Sequence, residues 1–394
     1  MDKKLSLKII PVNQEADWDK YLPILNIFEK NSDTTTTPLT TSQVQYTWWH
    51  SDIKSRFSAY LFIIAAAENP SGILAYNFFS MSQDKNRFLN PCTLKAFDDI
   101  FFMSNHFFNR HCNLSAEAVQ VFLSTQHILK QIYKKTGASL ITWQPVPPVE
   151  NREHIPRHFS PWKAKKKTDY PYITMAQDTS YFDRAEVVHA VKDIRKQTKR
   201  VINKFKTPPL FSSYHHNIDT IPENSFEENL ARLFALRKKT WQYQWEKKSM
   251  LVNTEILTAK IASYSSVWRM QGSLYLYFLT IDGQDVAYLY TLQTEKSCWC
   301  LLIGYDLSYK TYSPGKQIFH KMLQETHAKG IVNYHMGGSV VGWKSDWLTH
   351  NIPLHTVELW LLSPKALIHR VMKTISHDSQ TCSDQSQAPV SKTP

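Results

Sequence analysis

A chain of 394 residues with 42% hydrophobic and 13% aromatic content is longer than one hydrophobic core ordinarily serves, so two domains of roughly 100–200 residues are expected. The 46 Lys and Arg against 34 Asp and Glu leave a formal charge of +12, which favours anionic partners such as nucleotides, nucleic acid or acidic headgroups. The cysteines at 92, 112, 298, 300 and 382 form no CxxC pair, which argues against a zinc site or a disulfide framework. The longest apolar run, YLFIIAAA at 60–67, is far short of the roughly 20 residues a membrane span needs, so a soluble, cytoplasmic, metal-free protein is expected.

In chain order, AYLFIIAAA and GILAYNFFSM predict a pair of strands around the turn ENPSG. SAEAVQVFLSTQHILKQIYKKTGA predicts a helix opened by Ser115 and closed by Gly137, and SLITWQPV a strand after it. Six of the nineteen prolines, at 145, 147, 148, 156, 161 and 171, fall in one segment with the lysine run KAKKK, which predicts a connection between domains. Beyond it, Val188, Val191, Ile194, Val201 and Phe205 recur at helical spacing, with Arg195, Lys196, Lys199 and Arg200 on the remaining surface. A second helix is expected from about Phe226 to Trp245. The strands SLYLYFLTI, DVAYLYTLQ and SCWCLLIGY then predict an antiparallel meander whose first turn is the DGQ segment. A helix over 314–329, the strand IVNYHM, a glycine-rich loop and the strand HTVELWLL complete the pattern; the Ser-, Gln- and Thr-rich tail 377–394 reads as disordered.

Six of the ten glycines, at 304, 315, 330, 337, 338 and 342, lie within one span of 39 residues. Glycine serves where backbone takes positive φ or where a ligand approaches the main chain closely. The helix start Ser313-Pro314-Gly315-Lys316 sits inside this span. Ser313 as N-cap and Pro314 at N1 are ordinary, but Gly315 is a poor helix former, and Lys316 puts a cation at the positive end of the helix dipole. A bound anion would reverse that balance, because first-turn N–H groups, dipole and ammonium would all face it; a solvated Lys316 is the plain alternative.

With these residues in view, the run GYDLSYKTYSPGKQIFHKMLQETHAKG followed by HMGGSVVGWKSDW resembles the GNAT-type acyltransferases of the BioF2-like or CelD (BcsL) acetyltransferase family, relatives of the FemAB aminoacyltransferases. Tyr305, Asp306, Pro314, Gly315, Gly330, Gly337 and Lys344 match its pattern, and the likeness covers about residues 180–362. His335 stands where the family has Asp, Trp343 where it has Tyr, and Ser339 where it has the second Gly of a pair.

The resemblance implies an α+β fold of tandem GNAT-like domains, each a mostly antiparallel sheet flanked by helices. A degenerate N-terminal unit would occupy residues 1–170 and the acyltransferase domain 171–376. It implies transfer of an acyl group, acetyl foremost, from acyl-CoA to an amine by direct attack, with the pyrophosphate at the start of helix 314–329 where two strands splay apart. Ser313, Pro314, Gly315, Lys316 and Gln317 then form the phosphate cradle. Lys344, His335 and Asp306 are the catalytic candidates, against solvation for Lys344, a structural role for His335 and an Asx turn for Asp306. Trp343, Trp347, Arg195, Tyr305 and also Trp241 are candidates for the acceptor side, core packing being the ordinary role of tryptophan. The acceptor is a small-molecule, saccharide or peptide amine. Two alternatives stay open: a FemAB-like transferase using charged tRNA, for which the basic segments 163–167 and 195–206 offer a surface, and a catalytically degenerate GNAT serving as a binding module.

Overall fold

The computed structural model describes residues 5–31, 38–39, 41–54, 57–66, 69–82, 93–96, 122–123, 125–146, 162–176, 179–216, 223–249, 254–337 and 342–361. The expected Ser115 helix start, Gly338, Ser339 and the tail 377–394 lie outside them. The chain divides into two compact units, one of Met1–Thr36, Trp48–Lys167 and His355–Pro394, the other of Thr37–Thr47 and Thr168–Leu354. Both are discontinuous in sequence, where the proline-rich segment had predicted a single crossing near 170.

In the first unit, β1 (Leu5–Pro11) is followed by α1 (Glu15–Asn31), and the chain then passes through α2 (Ser42–Trp48), which belongs to the second unit up to Thr47. Strands β2 (Phe57–Ala66), β3 (Asn69–Ser82), β4 (Thr93–Ala96) and β5 (Leu140–Val146) pair in order after β1, and the second half of β12 (His350–Trp360) closes the series on β5. All of these pairs are antiparallel except β4 with β5. Helix α3 (Gln126–Thr136) buries Ile128, Leu129 and Ile132 among Phe62, Ile64, Phe79 and Ile141. It ends as the sequence implied, with Gly137 at φ +70° returning its N–H to the Tyr133 carbonyl at 2.7 Å.

The second unit builds its sheet in the order β6 (Trp162–Thr174), β11 (Asn333–His335), β10 (Ser297–Tyr305), β9 (Gln284–Gln293), β8 (Leu274–Ile281) and β7 (Leu210–His216). Only β10 with β11 is parallel. The Asp282-Gly283 turn takes φ of +50° and +74°, both central residues in the left-handed region that a tight hairpin requires. The segment read as a connection from 162 onward is strand β6, so its lysines and Pro171 belong to regular structure.

Helices cover both faces of this sheet, which is why β8 and β9 are apolar nearly throughout. On one face, α4 (Ala185–Phe205) and α8 (Pro314–Ala328) bury Val187, Ala190, Ile194, Ile318, Phe319, Met322 and Leu323 against Tyr277, Leu279, Leu289, Cys298 and Cys300. The alternate residues meet α5 (Glu223–Arg237) and α7 (Thr254–Met270): Arg232 lies over the Phe278 ring and bonds both Asp285 oxygens at 2.9 Å, and Ser265 bonds the Tyr290 hydroxyl at 2.7 Å. The helix expected from Phe226 to Trp245 is broken. Thr240 bonds the Arg237 carbonyl at 2.7 Å, takes the Tyr243 N–H at 3.3 Å, and so ends α5 and caps α6 (Trp241–Ser249). Among the described residues no helix is long and apolar enough to cross a membrane.

Candidate functional site

Strands β10 and β11 run parallel for three residue pairs only, Ser297 with Asn333, Cys298 with Tyr334 and Trp299 with His335. Pairing with β11 stops there, yet β10 continues to Tyr305. Its register against β9 shifts between Cys300 and Leu302, the mark of a bulge. The bulge resets the alternation, so that Cys298, Cys300, Ile303 and Tyr305 all face α8 while Gly304 faces the other way, toward Tyr288 and Thr240. A parallel pair that ends while one strand runs on leaves main-chain N–H and C=O groups of that strand without a sheet partner. That is where an extended ligand can add its own polar groups.

The entry to α8 stands beside this opening. Asp306 caps the 3-10 turn Leu307–Tyr312 by accepting from the Ser308 N–H at 2.9 Å and the Ser308 hydroxyl at 2.7 Å. Burial opposes its charge, but the Ser308 bonds and Lys239, 3.6 Å away, outweigh that and hold the carboxyl below its ordinary pKa. Asp306 is thus a charged cap that shapes the loop. Ser313 follows at φ +51°, left-handed, and its hydroxyl makes no cap bond, so the expected side-chain cap is replaced by the Ser313 carbonyl, which accepts from the Lys316 and Gln317 N–H groups at 3.1 and 3.2 Å. Pro314 has no N–H and is buried, leaving the Gly315 amide as the first-turn donor not drawn into the helix start. A Cβ on Gly315 would lie 3.3 Å from the Tyr305 ring, which is how closely the last residue of β10 covers this turn.

The remaining cradle candidates diverge. Gln317 is buried, donating to the Tyr312 carbonyl at 2.7 Å and accepting from Thr198 at 3.2 Å, so its side chain ties α8 to α4. Lys316 reaches Asp346 at 2.9 Å, an ion pair spanning thirty residues that joins the start of α8 to the turn Gly342–Asp346. That turn carries Lys344, whose ammonium donates to the Gly337 carbonyl; burial lowers its pKa, and Cys300 works in the opposite sense. Gly337, at φ +61°, has no Cβ to press on the Cys300 carbonyl, which would lie 3.1 Å away. Lys344 therefore stands at the mouth of the diverging strands, on the α8 face.

His335 does not share that face. Its ring stacks on Trp299 at 5.0 Å and 6° and meets Tyr172 edge-on at 4.9 Å, whereas its neighbour Tyr334 turns toward α8 and bonds Thr326 at 2.9 Å. Lys344 and His335 are consequently separated by the sheet itself. Trp343 lies half-buried edge-on to Phe319 at 5.0 Å, next to Lys344. Trp347 is fully buried between Phe319 and His320, a core residue with no surface for an acceptor. Arg195 is exposed on α4, and Trp241 is exposed on α6. Gln242, which the sequence did not single out, donates to the Ile303 carbonyl at 3.0 Å and so fixes α6 against the free-running end of β10.

Residues 192–345 match the family model described as an acetyltransferase (GNAT) domain. That stretch, within the second unit, is similar to GNAT acetyltransferase domains. A solved structure of FemX is similar at a TM-score of 0.51 and 9% identity, covering 88% of this chain and 98% of that one. The C-terminal domain (DUF2156) of a putative lysylphosphatidylglycerol synthetase from Agrobacterium fabrum matches at 0.49 and 8% identity, over 91% of this chain and 96% of that one. A tandem GNAT protein from the clavulanic acid biosynthesis pathway matches at 0.44 and 8%, over 91% and 99%. Of these three, the FemX likeness, at 9% identity, speaks to the fold alone. Comparison with curated protein sequences finds no match. Within this matched stretch, the β10–α8–β11 unit carries the parallel pair, its bulge and Gly315, and the turn Gly342–Asp346 after it carries Lys344.

Proposed function

We propose that the chain is a cytoplasmic N-acyltransferase that moves an acyl group, acetyl foremost, from acyl-CoA to an amine. Residues 171–376 carry the reaction and residues 1–170 a degenerate unit of the same kind. The observation that carries the reading is the short parallel pair of β10 and β11, diverging beside a helix start led by Gly315, inside the stretch that matches the acetyltransferase (GNAT) model.

The residues fit the donor. The Gly315 amide, bare of a Cβ, and the positive end of α8 suit a diphosphate, and Lys316 can exchange Asp346 for it. The donor's chain then adds along the unpaired edge of β10, with its thioester toward Lys344. In the transfer, the amine lone pair attacks the thioester carbonyl, the C–N bond forms, the C–S bond breaks, and the proton that the amine loses ends on the leaving thiolate, which is released as thiol. The Lys344 ammonium stabilises the negative charge that develops on the carbonyl oxygen. His335, on the opposite face and stacked on Trp299, positions β11; Asp306 positions the loop before α8. Trp343, half-buried against Phe319 next to Lys344, is read as lining the acceptor side.

Incubation of the pure protein with acetyl-CoA and a panel of aliphatic, amino-sugar and peptidyl amines tests this, read as free thiol and acylated amine by mass. Thiol release matched by acylated product is expected. CoA binding with no product for any amine would favour the degenerate binding module, and salt-sensitive tRNA binding without CoA affinity would favour an aminoacyl donor.

A further inference from the structure

Helix α6 presents two indoles to solvent. Trp241 is 50% and Trp245 55% exposed, four residues apart and therefore on one face of the helix. The residues exposed with them from 238 to 248 are Lys238, Lys239, Gln244, Lys247 and Lys248. The polar residues of other character turn inward: Gln242 bonds the Ile303 carbonyl, Thr240 bonds the Arg237 carbonyl, and Glu246 pairs with buried Arg237 at 2.5 Å. The only acidic side chain of this segment is thus consumed inside, and the outer surface is two tryptophans framed by Lys238, Lys247 and Lys248, with Lys239 beside them turned to Asp306 at 3.6 Å.

We propose that this face of α6 docks on an anionic phospholipid surface, with Trp241 and Trp245 at headgroup depth and the lysines against lipid phosphates. An indole is apolar over most of its area yet carries an N–H, which suits the membrane–water boundary, and lysine stems extend so that their ammonium groups meet the headgroups. The other occupants fit less well. A second copy would bring lysines against lysines. A sugar site needs hydrogen-bonding groups around its stacking ring, and Gln244 is the one exposed uncharged polar side chain here. A nucleic acid is usually held by arginine forks in a groove, whereas this face has only lysines on a convex helix. Because Gln242 seats α6 on the end of β10, docking brings that end of the second unit toward the lipid.

Cosedimentation of the full chain with vesicles of phosphatidylcholine alone, or mixed equally with phosphatidylglycerol, tests the proposal. Binding to the anionic vesicles, weaker with added salt, is expected. Trp241→Ser with Trp245→Ser should reduce it at least tenfold, and Lys247→Gln with Lys248→Gln by about fivefold per lysine. An unchanged thermal midpoint and circular dichroism spectrum in these variants show that the fold is kept. The proposal is overturned if the wild-type protein stays in the supernatant, if the tryptophan variant binds vesicles as well as wild type, or if the tryptophan pair instead governs self-association, saccharide binding or tRNA binding.

Discussion

The ion pair between Lys316 and Asp346 makes a prediction that runs against the usual effect of breaking a salt bridge. At 2.9 Å two unit charges attract by about 6 kcal/mol for an effective dielectric near 20. The two side chains are 28% and 33% exposed, however, and pairs so placed retain only about 0.5–1 kcal/mol after screening and side-chain ordering. Asp346→Asn should therefore cost less than about 1 kcal/mol of stability. It should also free the Lys316 ammonium for a donor diphosphate. If Lys316 must leave Asp346 to engage the donor, the variant recovers that same energy on binding, and CoA affinity rises by about two- to fivefold. Lys316→Met should weaken binding, and the double variant should bind like Lys316→Met, because the gain from Asp346→Asn acts only through the lysine. Calorimetric titration with CoA, alongside urea unfolding of each variant, reads all of these. An Asp346→Asn protein that binds CoA no tighter than wild type would refute the reasoning, as would a double variant that keeps the gain.

Gly304→Ala would put a Cβ 2.6 Å from the Tyr288 ring and 2.8 Å from Thr240, both buried, so a loss of roughly 1–3 kcal/mol in urea unfolding is expected. Lys344→Met should lower kcat by at least tenfold with CoA affinity nearly unchanged; a change confined to CoA affinity would move Lys344 out of the reaction. Burial pushes the pKa of His216 and His320 down to about 4, with Arg269 and His215 adding to the first and Lys321 and Arg195 to the second. The unfolded chain takes up these protons near pH 6.5 and the folded one does not, so stability is full above pH 6.5 and falls as pH drops toward 4. Urea midpoints at pH 7 and pH 5 check this, and His320→Phe should reduce the difference by about half, leaving the part due to His216.

The parts of the fold legible in the sequence are those set by local signals. The stripe Ile318, Phe319, Met322 and Leu323 is buried as its spacing implied, the Asp282-Gly283 turn closes the hairpin, and the meander of β8, β9 and β10 follows from its apolar runs. The break at Thr240 left no such signal. Lys238, Lys239 and Thr240 include neither glycine nor proline, and a side-chain bond to Arg237 ends the helix. Strand β7 and helix α7 were missed because LFSSYHH alternates weakly and Thr254–Met270 is buried on more than one side.

At the candidate site, Gly315 and Lys344 were found from residue type and order. The sequence could not reveal that Ser313 turns left-handed, that Gln317 is committed to Tyr312 and Thr198, or that Lys316 is held by a carboxylate thirty residues on. Nor could it separate Lys344 from His335. That separation depends on which face of the three-residue strand β11 His335 occupies, and a single pairing step would reverse it.

Titration of CoA into the full chain by calorimetry addresses the acyl-CoA reading most directly, with Gly315→Glu as the comparison because it sets a carboxylate where the diphosphate would lie. One CoA bound per chain, with binding abolished in Gly315→Glu while the thermal midpoint is retained, is the predicted result. No heat at millimolar CoA, or equal affinity in the variant, would contradict it.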